Sequence, residues 1–199
     1  MKPIWRMGFY GGVFDPPHNS HADCIRLVQK EYNFDHLLAY VCHTPCHKHP
    51  PIASYEQRMI MTQYMVDYDI KIKPYVGATG DYNLPRPSYT VNYIQNIYDI
   101  LNKHFKLEIS LIMGSDEWNN FPSWHEVERL YDLCENIIVL QRMGYVVKNY
   151  DEFKCEVVEN DIPSISSTQI REMIKSGQDV SDFLPLLVKG YIEWNGLYI

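Results

Sequence analysis

The chain has 199 residues, 46% of them hydrophobic and 22% charged, which predicts a single domain over residues 1–199 with a core that needs no disulfide or structural metal. Its formal net charge of −7 argues against a non-specific nucleic-acid binder, because phosphates attract basic surfaces. The chain shows no membrane-span or signal-peptide pattern, and its five scattered cysteines are typical of reduced thiols, so we expect a cytoplasmic protein with no membrane contact.

The first informative segment is a strand followed by a glycine turn. Residues 4–10 form a short apolar, aromatic-rich run that is typical of a buried strand. Gly11 and Gly12 follow it, and because neither carries a Cβ, the backbone there can approach a bulky ligand.

A helix is predicted just after this turn. Asn19 or Ser20 can cap its start, and small or apolar residues recur along one face, at Ala22, Ile25, Val28 and Tyr32. A strand, a glycine turn and a helix N-terminus together favour an anion-binding site, here with His18 and His21 at its mouth. The alternative is a plain strand-to-helix turn with two surface histidines.

The next elements are a strand at 36–42 and a loop rich in proline and histidine at 43–51. Ser54 and Gln57 form a capping box, which predicts a helix with inward-facing residues at Ile60, Met61, Tyr64, Met65 and Tyr68. A third strand is predicted at 70–76.

The second half of the chain continues the alternation. It predicts strands at 107–113, 136–142 and 156–159 and helices at 90–104, 118–134 (interrupted), 166–177 and 183–195. This pattern predicts an α/β fold, a Rossmann-like parallel sheet with helices on both faces and a small C-terminal helical part. Loops that follow parallel strands share one edge of the sheet, so we expect the polar loops to converge there.

Two segments of this chain carry most of the functional signal, and we call them anchors. The first is the glycine turn with His18 and His21, and the second lies near the C-terminus, where residues 165–171 read I-S-S-T-Q-I-R. Ser166 and Gln169 form another capping box at a helix start. Ser167 and Arg171 are four residues apart and share a helix face, so a hydroxyl and a guanidinium fork point the same way. The set suits a polyphosphate; the alternative is an ordinary capped helix with an exposed arginine.

Together the two anchors resemble the (H/T)-x-G-H and I-S-S-T-x-I-R motifs of the nucleotidylyltransferase superfamily. More closely, the chain is similar to the bacterial nicotinate/nicotinamide mononucleotide adenylyltransferases. The resemblance runs end to end, with counterparts at 44–48, 58–59, 86–90, 113–116, Trp124 and 183–185. Ser20 stands where the motif usually has glycine, and a modest backbone adjustment is expected there.

The resemblance implies an adenylyltransferase that moves AMP from ATP to nicotinate mononucleotide and releases pyrophosphate. It implies that His21 contacts the α-phosphate and His18 the neighbouring phosphates, while Lys48 and Arg171 hold the β,γ end. The implied ATP-binding residues are Gly11, Gly12, Val13, Phe14, Gly114, Asp116, Ser166, Ser167 and Thr168. A Mg²⁺ that accompanies ATP is expected near Asp116 or the phosphate oxygens.

A separate pocket is expected for the pyridine nucleotide. Ser88, Tyr89 and Thr90 open a helix, and a helix N-terminus favours a carboxylate, which is a physical reason to prefer nicotinate over nicotinamide. Trp124 offers a flat apolar face on which the pyridine ring can stack. The alternatives are a simple N-cap at Ser88 and core packing of Trp124.

Several rival readings stay open. Cys42, His43, Cys46, His47 and His49 could bind zinc, but structural zinc sites usually draw on two such clusters, so we predict no protein-bound metal. The alternative functions are nicotinamide mononucleotide as main substrate, a pantetheine-phosphate adenylyltransferase, or a non-catalytic nucleotide-binding module. A homo-oligomer is possible.

Overall fold

The fold is known from a computed structural model that describes residues 2–45, 49–67, 87, 89–142, 144 and 146–199. The predicted strand at 70–76 lies outside the described residues. Five strands form one sheet in the order β2-β1-β3-β4-β5, and every neighbouring pair is parallel. Their bounds are β1 Ile4–Gly12, β2 His36–Val41, β3 Lys106–Gly114, β4 Asn136–Leu140 and β5 Glu156–Val158.

Helices lie between β1 and β2, between β2 and β3 and between β3 and β4, and two more follow β5, in the order predicted. Their bounds are α1 Asn19–Glu31, α2 Tyr55–Asp67, α3 Thr90–Leu101, α4 Ser115–Trp118, α5 Val127–Leu133, α6 Ser167–Lys175 and α7 Leu186–Asn195, with a 3₁₀ helix at Phe121–Ser123. The 3₁₀ helix contains Pro122 and lies where the helix predicted at 118–134 is expected to be interrupted. Within the described ranges, no helix is long and apolar enough to cross a membrane.

The sheet has a hydrophobic core on each face because the side chains of its strands alternate. On β4, Ile137 and Val139 join one core and Ile138 and Leu140 join the other. The helices α3, α4 and α5 contribute to the core that contains Ile137 and Val139. The helices α1, α2, α6 and α7 contribute to the core that contains Ile138 and Leu140. The predicted α/β fold, a Rossmann-like parallel sheet covered on both faces, is therefore confirmed.

The strand order places a topological switch beside β1. The chain passes from β1 outward to β2 and then returns past β1 to form β3 on its other side. In open α/β sheets the connections diverge at such a point, and the carboxyl ends of the two strands bound a crevice. Here these ends are Gly12 and Gly114.

Two local predictions are wrong. The N-cap of α1 is His18, because the Asn19 amide donates to the carbonyl of Asp182 and the Ser20 hydroxyl to that of Pro163, so neither caps the helix. Ile60, predicted to face inward on α2, is 40% exposed.

Candidate active site

A cavity of about 590 Å³ opens at the switch point, between the loops after β1 and β3 and the N-termini of α1, α3 and α6. Every predicted site residue that the structure describes lines it: Gly11, Gly12, Val13, Phe14, His18, His21, Tyr89, Thr90, Gly114, Asp116, Trp124, Ser166, Ser167, Thr168 and Arg171. The other two, Lys48 and Ser88, lie outside the described residues. The two sequence anchors, about 150 residues apart along the chain, thus share one cavity.

The two histidines at the start of α1 form a stacked pair. Their ring centroids are 3.6 Å apart with an interplanar angle of 28°. The backbone N–H of His18 donates to Nδ1 of His21 at 3.2 Å. A backbone N–H can only donate, so Nδ1 of His21 is the acceptor and its ring carries the proton on Nε2.

His18 is buried and has an unsatisfied nitrogen. Its side chain is 1% exposed, and burial, followed by the charge of Arg142, lowers its pKa to about 3. The ring is therefore neutral near pH 7. Nδ1 of His18 has no hydrogen-bond partner within the described part of the chain. A buried polar atom of this kind, on the wall of a cavity, is suited to a ligand.

Hydrogen bonds join the start of α6 to the loop after β1. Arg171 donates from Nη1 to the carbonyl oxygen of Asp15 at 2.7 Å and from Nη2 to Oγ1 of Thr168 at 3.1 Å. The hydroxyl of Ser167 donates to the carbonyl oxygen of Pro16 at 2.8 Å. Because that hydroxyl is engaged, the donors that the first two helical residues, Ser167 and Thr168, offer a ligand include their backbone N–H groups, which have no carbonyl to bond within the helix.

The predicted capping box of α6 is confirmed. The backbone N–H of Gln169 donates to Oγ of Ser166 at 3.2 Å, and the N–H of Ser166 donates to the Gln169 side chain at 2.9 Å. The pair fixes the direction in which the helix enters the cavity wall.

Asp15 is a buried carboxylate whose importance the sequence analysis missed. It is 4% exposed, and it accepts the N–H of Ile52 at 2.8 Å, the N–H of Ala53 at 3.1 Å and the hydroxyl of Tyr198 at 2.7 Å. A lone carboxylate in a turn of glycine, proline and aromatic residues is the signal that could have drawn attention to it. It fixes the loop that carries His18.

Arg58, which the sequence analysis named only within the family counterpart at 58–59, is a guanidinium that is only 1% exposed within α2. It donates to the carbonyl oxygens of Val13 at 2.8 Å, Cys42 at 2.6 Å, His43 at 2.9 Å and Ala53 at 3.3 Å. Arg58 therefore ties the loops after β1 and β2 together beneath the cavity. Nothing in the apolar periodicity of α2 signals a buried charge, and this charge occupies the inward face.

The loop after β3 carries an ion pair. Nη1 of Arg142, also missed from sequence, lies 3.2 Å from Oδ2 of Asp116. The other carboxylate oxygen, Oδ1, is buried and has no hydrogen-bond partner among the residues described. A Cβ on Gly114 would come within 2.6 Å of that oxygen, so a larger residue there would displace the Asp116 carboxylate from this position. Asp116 thus keeps one oxygen for a ligand.

The opposite wall is the start of α3 and the loop that carries Trp124. Tyr89 is the N-cap, so the N–H groups of Thr90 and Val91 have no carbonyl to bond within the helix. The ring of Tyr89 stacks on His125, with centroids 3.9 Å apart, and His125 is a further cavity residue that the sequence analysis missed. Trp124 is partly buried and packs on Phe121, with ring centroids 5.5 Å apart, so core packing and a cavity-facing role coexist.

Comparison with known proteins identifies the family. A family model described as Cytidylyltransferase-like matches residues 9–173. A protein of Chlorobium phaeovibrioides named “Probable nicotinate-nucleotide adenylyltransferase” is 31% identical over 194 residues, which cover 96% of this chain and 98% of the relative. The Thermus thermophilus protein of the same name is 32% identical over 195 residues, covering 97% and 99%. The chain belongs to the nicotinate-nucleotide adenylyltransferase family.

The predicted family and enzyme class are therefore confirmed. The fold agrees with the structure titled “Plasmodium falciparum nicotinic acid mononucleotide adenylyltransferase complexed with NaAD”, with a TM-score of 0.80 at 19% identity over 98% of this chain and 97% of that one. A second structure of that protein, complexed with APC, has a TM-score of 0.77 at the same identity and coverage.

Ser20 is the departure from the nicotinate-nucleotide adenylyltransferase motif. Its hydroxyl donates to the carbonyl oxygen of Pro163 at 2.7 Å, and the residue is 9% exposed. The extra side chain thus gains a buried hydrogen bond that links α1 to the segment before α6.

The prediction that the cysteine- and histidine-rich loop at 42–49 binds no metal is not tested. No cluster of three metal-binding side chains occurs in the described parts of the chain, but Cys46 and His47 lie outside them.

Proposed function

We propose that the protein transfers AMP from ATP to nicotinate mononucleotide, giving nicotinate adenine dinucleotide and pyrophosphate. The observation that carries the proposal is the stacked pair of His18 and His21 in one cavity with Arg171 and the open start of α3. The two histidines and Arg171 suit a polyphosphate, and the open N-terminus of α3 suits a carboxylate. The names of the relatives from Chlorobium and Thermus agree with it.

In the proposed reaction the 5′-phosphate oxygen of the mononucleotide attacks the α-phosphorus of ATP. A new P–O bond forms as the bond from the α-phosphorus to the bridging oxygen of the β-phosphate breaks, and pyrophosphate leaves with that electron pair. Such a transfer asks the protein for positioning and charge stabilisation, so no protein nucleophile is needed. The Nε2–H of His21 donates to an α-phosphate oxygen, where charge shifts in the transition state.

The β- and γ-phosphates are assigned to the C-terminal anchor, residues 165–171, and to the groups around it. Arg171 and Lys48 supply positive charge, the N–H groups of Ser167 and Thr168 supply donors, and neutral His18 donates from the same side. Gly11, Gly12, Val13 and Phe14 form the wall along the nucleotide, Ser166 orients α6, and Gly114 and Asp116 meet the ATP ribose.

Mg²⁺ is proposed to accompany ATP. It usually binds through one or two carboxylates together with phosphate oxygens and water, and the unpartnered Oδ1 of Asp116 fits that role. When bound, the ion would neutralise charge on the departing pyrophosphate.

The remaining expectations are also proposals. Residues 1–199 act as one catalytic domain, which is supported by the packing of α7 against α2. A cytoplasmic location and the absence of nucleic-acid and membrane partners remain predictions, and a homo-oligomer remains possible.

The nicotinate carboxylate is assigned to the N-terminus of α3, with Ser88, Tyr89 and Thr90 around it and the pyridine ring on Trp124. A carboxylate accepts from N–H groups and gains from the helix dipole, whereas the amide NH₂ would meet donors without an acceptor. We expect kcat/KM for nicotinate mononucleotide to exceed that for nicotinamide mononucleotide by at least ~10-fold, or ~1.4 kcal/mol. Steady-state assays with ATP and each nucleotide, and with phosphopantetheine as third acceptor, measure this.

A substitution at the first helical position tests the cause of that preference. Thr90→Pro removes one N–H, proline is tolerated at a first helical position, and Tyr89 already has the extended backbone that precedes proline, with φ −90° and ψ 133°. The acid-to-amide ratio should shrink in Thr90→Pro and persist in Thr90→Val, which keeps the N–H. Parity of the two nucleotides with the wild-type protein would contradict the assignment.

A further inference from the structure

The penultimate residue, Tyr198, is held in an unusual conformation beside the candidate active site. α7 ends at Asn195, and Gly196, with φ +59°, turns the chain back so that the N–H of Leu197 donates to the carbonyl of Ile192 at 3.1 Å. Tyr198 has φ +67°, and it is only 6% exposed. A tyrosine adopts a positive φ only where its surroundings hold it there.

The contact that this conformation permits is with Asp15. The Tyr198 hydroxyl donates to Oδ1 of Asp15 at 2.7 Å, across 183 positions of sequence. Burial, followed by the charge of Asp15, raises the pKa of Tyr198, so the phenol is a protonated donor near pH 7. The same carboxylate accepts two backbone N–H groups, those of Ile52 and Ala53. These three donors occupy most of the accepting capacity of a buried carboxylate.

Arg171 lies beside this carboxylate without forming a close ion pair with it. Its Nη1 is 2.7 Å from the carbonyl oxygen of Asp15 but 3.9 Å from carboxylate Oδ2. Arg58 is the other cation that acts on Asp15, and its four hydrogen bonds to carbonyl groups hold it in place. If the carboxylate lost the hydroxyl donor, the neighbouring positive charge held by fewer hydrogen bonds would be the Arg171 guanidinium, which makes two. An ion pair that formed there would draw that group away from the cavity.

We propose that Tyr198 is a positioning residue for ATP: by occupying Asp15, it keeps Arg171 on the carbonyl of the loop after β1, where the guanidinium can meet the polyphosphate. This inference rests on the proposed function, specifically on Arg171 as a ligand of ATP. It assigns a role in substrate binding to the C-terminal end of the chain.

The test is the binding of ATP by Tyr198→Phe, measured by isothermal titration calorimetry, with kinetics in parallel. Removal of this one hydroxyl should weaken ATP binding at least ~5-fold, as expected for loss of a hydrogen bond to a charged group, while KM for nicotinate mononucleotide stays within ~2-fold. The matched control is Tyr191→Phe, which removes a phenol hydroxyl from α7 where the ring contacts Tyr64. The control should bind ATP like the wild type. A purely structural loss would instead lower the active fraction and leave ATP affinity per active site unchanged.

A double-mutant cycle tests the route through Arg171. In an Arg171→Ala background, adding Tyr198→Phe should change ATP affinity by less than ~2-fold, because the group that it positions is gone. Wild-type affinity in Tyr198→Phe, or an undiminished effect of Tyr198→Phe in the Arg171→Ala background, would overturn the inference while leaving the proposed function intact. A wild-type protein that bound no ATP would instead overturn the proposed function itself, and this inference with it.

Discussion

Replacing His21 with alanine should lower kcat by ~100-fold or more, because it removes a donor aimed at the α-phosphate where charge shifts in the transition state. The structure supports this role, because Nδ1 of His21 accepts from the backbone of His18, which leaves the proton on Nε2. KM for both substrates should change much less than kcat. Initial rates of pyrophosphate release at saturating substrates measure the effect.

Two further substitutions separate the chemistry of His21 from its structural contact. The amide of His21→Asn can accept from the His18 N–H but is too short to place a donor at the position of Nε2, so stability should recover and kcat should not. The longer His21→Gln places an NH₂ near that position and should recover part of kcat. Loss of the His18 hydrogen bond in His21→Ala should cost only about 1 kcal/mol of unfolding free energy. A His21→Ala protein with near-normal turnover would remove His21 from the mechanism.

Replacing Arg171 with alanine should raise KM for ATP by roughly 10- to 100-fold, the effect of losing a hydrogen-bonded charge, and should change KM for nicotinate mononucleotide little. Arg171→Lys should recover only part of the affinity, because the arginine uses two nitrogens at once, on Asp15 and on Thr168, and lysine has one. Steady-state kinetics with each substrate varied in turn measure both constants.

The control for charge alone is on the same helix. Lys175 is an exposed base in the last turn of α6, so Lys175→Ala removes the same charge without touching the cavity. It should leave KM for ATP unchanged. Equal losses of affinity for both substrates in Arg171→Ala, or a Lys175→Ala effect of similar size, would contradict the assignment of Arg171 to the polyphosphate.

The parts of the fold that could be predicted from sequence depend on local patterns. Alternating strands and helices predict a parallel sheet, and the loops after its strands then meet at one edge. Capping boxes such as that of Ser166 and Gln169 are hydrogen bonds between residues three apart, so the sequence displays both partners. For the same reason each of the two motifs, at the start of α1 and at the start of α6, can be recognised from its own residues.

The residues whose contacts the sequence analysis missed act through partners that are distant along the chain. Arg58 bonds carbonyl groups that are 15, 16 and 45 positions away, and Arg142 bonds a carboxylate 26 positions away. Nothing in their neighbouring residues shows that these charges are buried or what they contact. The cap of α1 was missed for a related reason, because Asn19 and Ser20 are good capping residues that bond elsewhere in the fold.

The most direct test of the central claim, adenylyl transfer to nicotinate mononucleotide, follows the phosphorus atoms of ATP. ATP labelled at the α-phosphorus and ATP labelled at the γ-phosphorus are each incubated with the protein, Mg²⁺ and nicotinate mononucleotide, and the products are separated. We predict that the α label appears in nicotinate adenine dinucleotide and the γ label in pyrophosphate. Transfer of the γ label to the mononucleotide, or a wild-type protein that forms no labelled dinucleotide, would contradict the account.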